Sequence, residues 1–130
     1  MGFEIYVTSL EHIGIPTAKL DKTVFFYESL GFKLLHRTLN PETNERVVFL
    51  GMAGVVIETY DCASPSGVNG GVDHFALAVT DVEGAWNAAK AMGCALLDNA
   101  IQSMPFWENG VRFFTILGPN HEKVEFLQKC

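Results

Sequence analysis

Apolar and polar positions follow the same order twice along this chain. Leu10-Glu11-His12-Ile13-Gly14-Ile15 aligns with Val72-Asp73-His74-Phe75-Ala76-Leu77 at an offset of 62 residues. Leu30-Gly31-Phe32-Lys33-Leu34-Leu35 aligns with Met92-Gly93-Cys94-Ala95-Leu96-Leu97 at that same offset. Two blocks that hold one offset mark an internal repeat. Each copy opens on an apolar strand carrying a histidine, residues 10–15 and 74–79. A helix is predicted next. In the first copy it spans about residues 21–30, with Leu20, Val24, Tyr27 and Leu30 on one stripe and Gly31 as the stop. In the second copy Thr80 and Glu83 have the spacing of a capping box. Val82, Trp86, Ala89 and Met92 form the stripe there, and Gly93 ends it. Three short strands complete each copy: about 32–38, 46–50 and 55–60, then about 95–97, 111–117 and 123–127. Gly118-Pro119-Asn120 reads as a turn.

The unit is therefore strand–helix–strand–strand–strand, used twice. Ser64-Pro65-Ser66-Gly67-Val68-Asn69-Gly70-Gly71 is rich in turn formers and reads as the linker between copies. About 60 residues bury little surface alone, so residues 9–60 and 71–127 are expected to be half-modules of one domain spanning 1–130.

Composition narrows the class. The chain is 48% hydrophobic, 12% aromatic and 18% charged, enough apolar content to form a core and too much for a disordered chain. The longest unbroken apolar run, residues 75–79, is far short of the roughly 20 needed to span a bilayer. A net charge of −6 with no basic cluster argues against nucleic acid as a partner. The first seven residues lack a basic stretch followed by an apolar core, so no signal peptide is predicted. Cys62, Cys94 and Cys130 form no close pair, which argues against a disulfide framework or a zinc knuckle and suits a reducing, cytoplasmic setting.

Four residues carry candidate chemistry. His12 and His74 hold equivalent places in the first strands, and Glu58 and Glu125 hold equivalent places in the last strands. Their offset is 67 residues, so the second copy carries five extra residues, expected in its loops. Alternation puts Glu58 on a face with Val56 and Tyr60, and Glu125 on a face with Lys123 and Leu127. A carboxylate in an apolar strand is costly to bury without a compensating cation or donor. Finding it twice, with a matched pair of histidines, points to two imidazoles and two carboxylates around one divalent ion. His36 and His121 have no repeat partner and are expected to be solvated.

The module order and two phrases resemble the vicinal oxygen chelate superfamily: Val56-Ile57-Glu58-Thr59-Tyr60, and Leu117-Gly118-Pro119-Asn120-His121-Glu122-Lys123-Val124-Glu125-Phe126. Phe25-Phe26-Tyr27-Glu28-Ser29-Leu30-Gly31-Phe32 is similar to its first-helix signature. The likeness covers about residues 9–127. It implies an α+β fold in which two βαβββ modules form a cupped mixed sheet, often completed as a homodimer.

Within that superfamily the His/Glu/His/Glu set is similar to that of glyoxalase I (lactoylglutathione lyase). The resemblance thus implies a metal-dependent lyase or isomerase with a small-molecule substrate. It would shift a proton through a metal-stabilised enediolate on an α-hydroxycarbonyl or its thiol adduct. The implied metal ligands are His12, Glu58, His74 and Glu125, the implied base is Glu125, and Glu58 is its opposite number. Imidazole with carboxylate suits Ni, Zn, Co or Mn.

Tyr60, Met104, Phe106, Trp107 and Phe114 are candidate apolar walls, and Arg112 a candidate contact for a substrate anion. Glyoxalase I enzymes of similar length carry an Arg and an Asn where this chain has Pro16 and Cys62. A carboxylate-bearing tripeptide such as glutathione loses a charge-assisted anchor by that change.

Two alternatives belong to other classes. One is a metalloenzyme of the extradiol-dioxygenase or fosfomycin-resistance kind using only His12, His74 and Glu125; Glu58, filling a fourth place, counts against it. The other is a metal-free, ligand-sequestering module of the bleomycin-resistance kind, which has no reason to keep four ligand-type residues.

Overall fold

The computed structural model of the protein describes Ile5, Tyr6, Thr8, residues 10–70 and residues 72–130. Most of the N-terminal segment read for a leader lies outside the described residues, as do Ser9 and Gly71 at the expected module starts. The chain divides into two compact units, 1–65 and 66–130, and the division falls within the predicted linker.

In the first unit the elements are β1 (Ile13–Thr17), α1 (Leu20–Ser29), β2 (Lys33–Leu39), β3 (Arg46–Met52) and β4 (Val55–Asp61). The sheet order is β1-β4-β3-β2. The β1–β4 pairing is parallel and the others antiparallel. The helix therefore serves as the crossover that a parallel pair requires. Leu20, Val24 and Tyr27 are buried on its inner face with Thr23, as the 3.6-residue stripe requires. Val48, Leu50 and Ile57, on the strands α1 packs against, are buried with them in the core. The buried hydroxyls are satisfied: Thr17 and Thr23 bond each other at 3.0 Å, and Thr59 donates to the Ile15 carbonyl at 2.8 Å. Gly31 ends the helix region at φ +110°, a left-handed conformation that glycine adopts without steric cost. Ala53 and Gly54 both have positive φ and close the β3–β4 hairpin.

The second unit holds β5 (His74–Ala78), α2 (Val82–Ala91), β6 (Ala95–Leu96), β7 (Gln102–Met104), β8 (Val111–Leu117) and β9 (Lys123–Lys129). Its sheet order is β5-β9-β8-β6, with β7 also paired to β8. Again the first and last strands are parallel. The core is Leu77, Val82, Ala89, Val111, Phe114, Ile116 and Val124.

The α+β class and the strand–helix–strand order hold in both units. Three local readings do not. The α2 N-cap is Asp81, whose carboxylate accepts the Gly84 N–H at 3.0 Å, one residue later than the Thr80–Glu83 box. An Asp at the cap is at least as good an acceptor as a Thr, so the helix starts where Asp81 can reach. Met92 is 46% exposed, since the helix has ended before its turn of the stripe comes round. β1 begins at Ile13, leaving His12 just ahead of the strand. β7 was not foreseen: three residues give too short a pattern to read.

Paired registers locate the five extra residues. Phe49 sits opposite Glu58 and Thr115 opposite Glu125. That equivalence has an offset of 66, so four of the five lie between α2 and β8, where β7 is built. The fifth lies in the β8–β9 turn.

Candidate metal centre

The fold gathers the four candidate ligands as two like pairs, one in each unit. In the first, β1 runs beside β4 with Gly14 opposite Glu58. His12 is two residues before Gly14 and so projects to the Glu58 side. His12 Nε2 lies 3.6 Å from Glu58 Oε1. In the second, Ala76 is opposite Glu125, and His74 is again two residues earlier. His74 Nε2 lies 3.9 Å from Glu125 Oε2. The same register thus builds the same His–Glu pair twice.

These separations are too long for hydrogen bonds. Donors about 2.1 Å from a tetrahedral ion lie roughly 3.4 Å apart, close to what each pair shows. The Glu58 side chain is 26% exposed and that of Glu125 is 14% exposed. Neither carboxylate accepts a hydrogen bond among the described residues, so their oxygens are free to ligate. His12 Nδ1 is buried without a hydrogen-bond partner among the described residues. Chemically the donors fit a divalent ion. Each unit alone supplies two of them, and among the described residues no group of three or more His, Cys, Asp or Glu side chains is arranged to hold a metal.

His74 has support that His12 lacks. Its Nδ1 is 2.9 Å from Asp73 Oδ2, while Asp73 Oδ1 accepts from Lys123 Nζ at 3.0 Å. The hydrogen bond to His74, then that from Lys123, hold the Asp73 carboxyl below the usual carboxylate range. Sequence reasoning missed Asp73 and Lys123. The signal was present in the repeat itself, where an acid precedes the histidine both times (Glu11-His12 and Asp73-His74).

The candidate substrate contacts separate by face. Tyr60 lies two residues from Glu58 and shares its side of β4. Phe49 is half-buried opposite Glu58 and takes the His12 ring edge-on at 5.6 Å. Glu58, Phe49, Val47 and Leu39 line a concavity of about 410 Å³; Phe49 and Val47 were not singled out from sequence.

Phe114 and Arg112 fall on the other side of β8 from Thr115, the residue opposite Glu125. Phe114 is fully buried, stacked on Phe126 at 5.0 Å with Trp86 edge-on at 5.3 Å. It is core, which corrects its reading as a pocket wall. Arg112 donates to Glu83 of α2 at 2.9 Å, so its guanidinium is engaged by the helix. Met104, Phe106 and Trp107 are exposed, Trp107 by 71%. Trp107 holds a positive φ of 61° in the β7–β8 connection, with Lys129 Nζ 3.9 Å from its ring centroid. Cys62, Cys94 and Cys130 are all free thiols. No helix among the described residues is long and apolar enough to cross a membrane.

Two strand–helix–strand modules, the second with the short β7 added, each with its first and last strands parallel and a His–Glu pair at one register, define the duplicated βαβββ class. The chain belongs to the Glyoxalase/Bleomycin resistance protein/Dioxygenase superfamily, whose family model matches residues 9–126. It is 31% identical over 127 residues to the uncharacterized protein YwbC of Bacillus subtilis (strain 168), covering 92% of this chain and 97% of that protein.

Among solved structures it is similar to SMU.1112c, with a TM-score of 0.80 and 19% identity over 93% of this chain and 98% of that one. It is also similar to the fosfomycin resistance protein FosX of Listeria monocytogenes, solved with Mn(II) and sulfate. That match has a TM-score of 0.72 and 16% identity over 95% of this chain and 94% of that one. At those identities the likeness is one of fold. The superfamily expected from the quoted phrases is the one the chain belongs to.

Proposed function

We propose that the protein is a metal-dependent lyase or isomerase of the glyoxalase I type, acting on a small α-hydroxycarbonyl or its thiol adduct. The observation that carries this reading is the duplicated His–Glu pair, 3.6 Å in one unit and 3.9 Å in the other. Two free carboxylates are one more than a two-histidine, one-carboxylate oxygenase site uses. One divalent ion (Ni, Zn, Co or Mn) would be held by His12, Glu58, His74 and Glu125, completed by a second module of the same chain or of a homodimer partner. When bound, such an ion would supply Lewis acidity that makes a neighbouring carbon-bound proton easier to remove.

The chain's own residues do the rest. Glu125, shielded from most solvent and accepting no hydrogen bond among the described residues, takes the proton from one carbon and returns it to the next. Glu58 would be its opposite number, and it likewise accepts no hydrogen bond among the described residues. Tyr60 and Phe49 form the apolar side of the first half-site and limit water there. Phe106 and Trp107, exposed on the β7–β8 connection with Lys129 over the Trp107 ring, would cover a substrate. Arg112 lies on the other side of β8 from Glu125 and is paired with Glu83, which counts against a contact with a substrate anion. Pro16 and Cys62 supply no charge for a glutathione carboxylate, so methylglyoxal with glutathione should give weak turnover or none.

Metal analysis after purification without chelators tests the reading. One divalent ion per chain is expected, and nickel, zinc or cobalt points to the lyase or isomerase. Redox-active iron would move the protein to the oxygenase class, and tight ligand binding with no metal to the sequestering one. His74→Ala should remove most of the metal; full occupancy in that variant would show that His74 is not a ligand. Glu125→Gln keeps size and a ligating oxygen but not basicity. Metal should stay while turnover falls by about 10²–10⁴-fold. Undiminished turnover with metal intact would reject Glu125 as the base.

A further inference from the structure

The two half-sites are alike in their ligands and unlike in what stands behind them. In the second unit the parallel register sets His74 opposite Lys123. Asp73, the residue before β5, reaches both: Oδ2 to His74 Nδ1 at 2.9 Å and Oδ1 to Lys123 Nζ at 3.0 Å. An ionised carboxylate only accepts, so the proton of a neutral His74 belongs on Nδ1. Its Nε2 lone pair is then left facing Glu125.

In the first unit the acid equivalent to Asp73 is Glu11, whose Oε1 is 3.8 Å from His12 Nδ1, beyond hydrogen-bond reach. The residue at the repeat position of Lys123 is Val56, which cannot anchor a carboxylate. His12 Nδ1 accordingly lies buried with no hydrogen-bond partner among the described residues.

We propose that Asp73, held by Lys123, is a positioning residue that fixes His74 with its proton on Nδ1 and its Nε2 lone pair directed at the metal. The 66–130 unit is thereby the stronger-binding half of the centre. This rests on the reading of His74 as a ligand. A ligating histidine oriented by a carboxylate loses its ring orientation and part of its basicity when that carboxylate is removed. The usual consequence is a 10–100-fold loss of metal affinity. An exposed ion pair with only a structural role would leave affinity unchanged.

Two measurements test it. Ring ¹⁵N shifts in the metal-free protein, followed through a pH series to its alkaline plateau, report tautomers directly. His74 should carry its proton on Nδ1 in the wild type and become a mixture in Asp73→Asn, while His12 is already a mixture. A wild-type His74 protonated on Nε2 would overturn the proposal without any mutant.

Titration with Co(II) alone, followed by its visible absorption, gives affinity. Asp73→Asn should weaken binding about 10–100-fold, Lys123→Met should weaken it less, and Glu11→Gln should scarcely change it. If His74→Ala abolishes binding while Asp73→Asn binds as the wild type does, His74 remains a ligand and the role of Asp73 is rejected. If His74→Ala itself binds as the wild type does, the ligand reading falls, and this proposal falls with it.

Discussion

Phe114→Ala distinguishes a core residue from a pocket residue at the one aromatic position where sequence and structure disagree. The ring is fully buried between Phe126 and Trp86. A buried aromatic removes about 150–250 Å² from water, which at about 25 cal/mol per Å² is worth roughly 4–6 kcal/mol as an upper bound. Measured Phe→Ala losses of about 3–5 kcal/mol in protein cores include the cavity left behind. The expected loss is therefore about 4 kcal/mol.

Both tryptophans of the chain, Trp86 and Trp107, lie in the 66–130 unit, so urea unfolding followed by tryptophan fluorescence reports that unit alone. With a slope of about 2 kcal/mol/M, the midpoint should drop by about 2 M. Phe113, one residue earlier, is half-buried on the opposite face, and Phe113→Ala should cost only about 1 kcal/mol. The midpoint is the readout, because Trp86 touches Phe114 and its intensity changes in any event. A Phe114→Ala midpoint within about 0.5 M of wild type, or a larger effect at Phe113, would refute the assignment of faces on β8.

Two further predictions concern local structure. Asp81→Ala should cost about 1 kcal/mol by removing the α2 cap, whereas Thr80→Ala should be nearly neutral in the same assay; the reverse order would restore the Thr80–Glu83 box. Asp61 lies in an ion pair with Arg46, Nε to Oδ2 at 2.9 Å, and the hydrogen bond from Arg46 holds its carboxyl below the ordinary value. The stability it contributes is full above the ordinary carboxylate pKa and lost as pH falls through the lower folded value. Asp61→Asn should therefore flatten the acid limb of the stability–pH curve below about pH 4, and an unchanged limb would show that the pair contributes nothing.

Much of this protein was legible in the sequence by itself. The repeat offset, the helix stripes ending at Gly31 and Gly93, and the strand order depend on periodicity and on glycine's access to positive φ, which are local properties. The histidines and glutamates stood out because duplication set each beside its counterpart. What sequence could not decide was anything that depends on register. Alternation gives two faces to a strand but does not say which one a helix covers, so Phe114 read as a wall until α2 was seen to lie over it. Arg112 shares that face and finds Glu83 for the same reason.

The cap at Asp81 instead of Thr80 turned on a one-residue choice between two good acceptors, and only the path of the chain into α2 settles it. Asp73 and Lys123 are 50 residues apart. A parallel pairing of β5 with β9 sets Lys123 opposite His74, and no spacing along the chain encodes it. The ligand types are written locally. So are the residues that distinguish the halves, Asp73 and Lys123 against Glu11 and Val56; what strand pairing alone supplies is the meeting of Lys123 with Asp73 and His74.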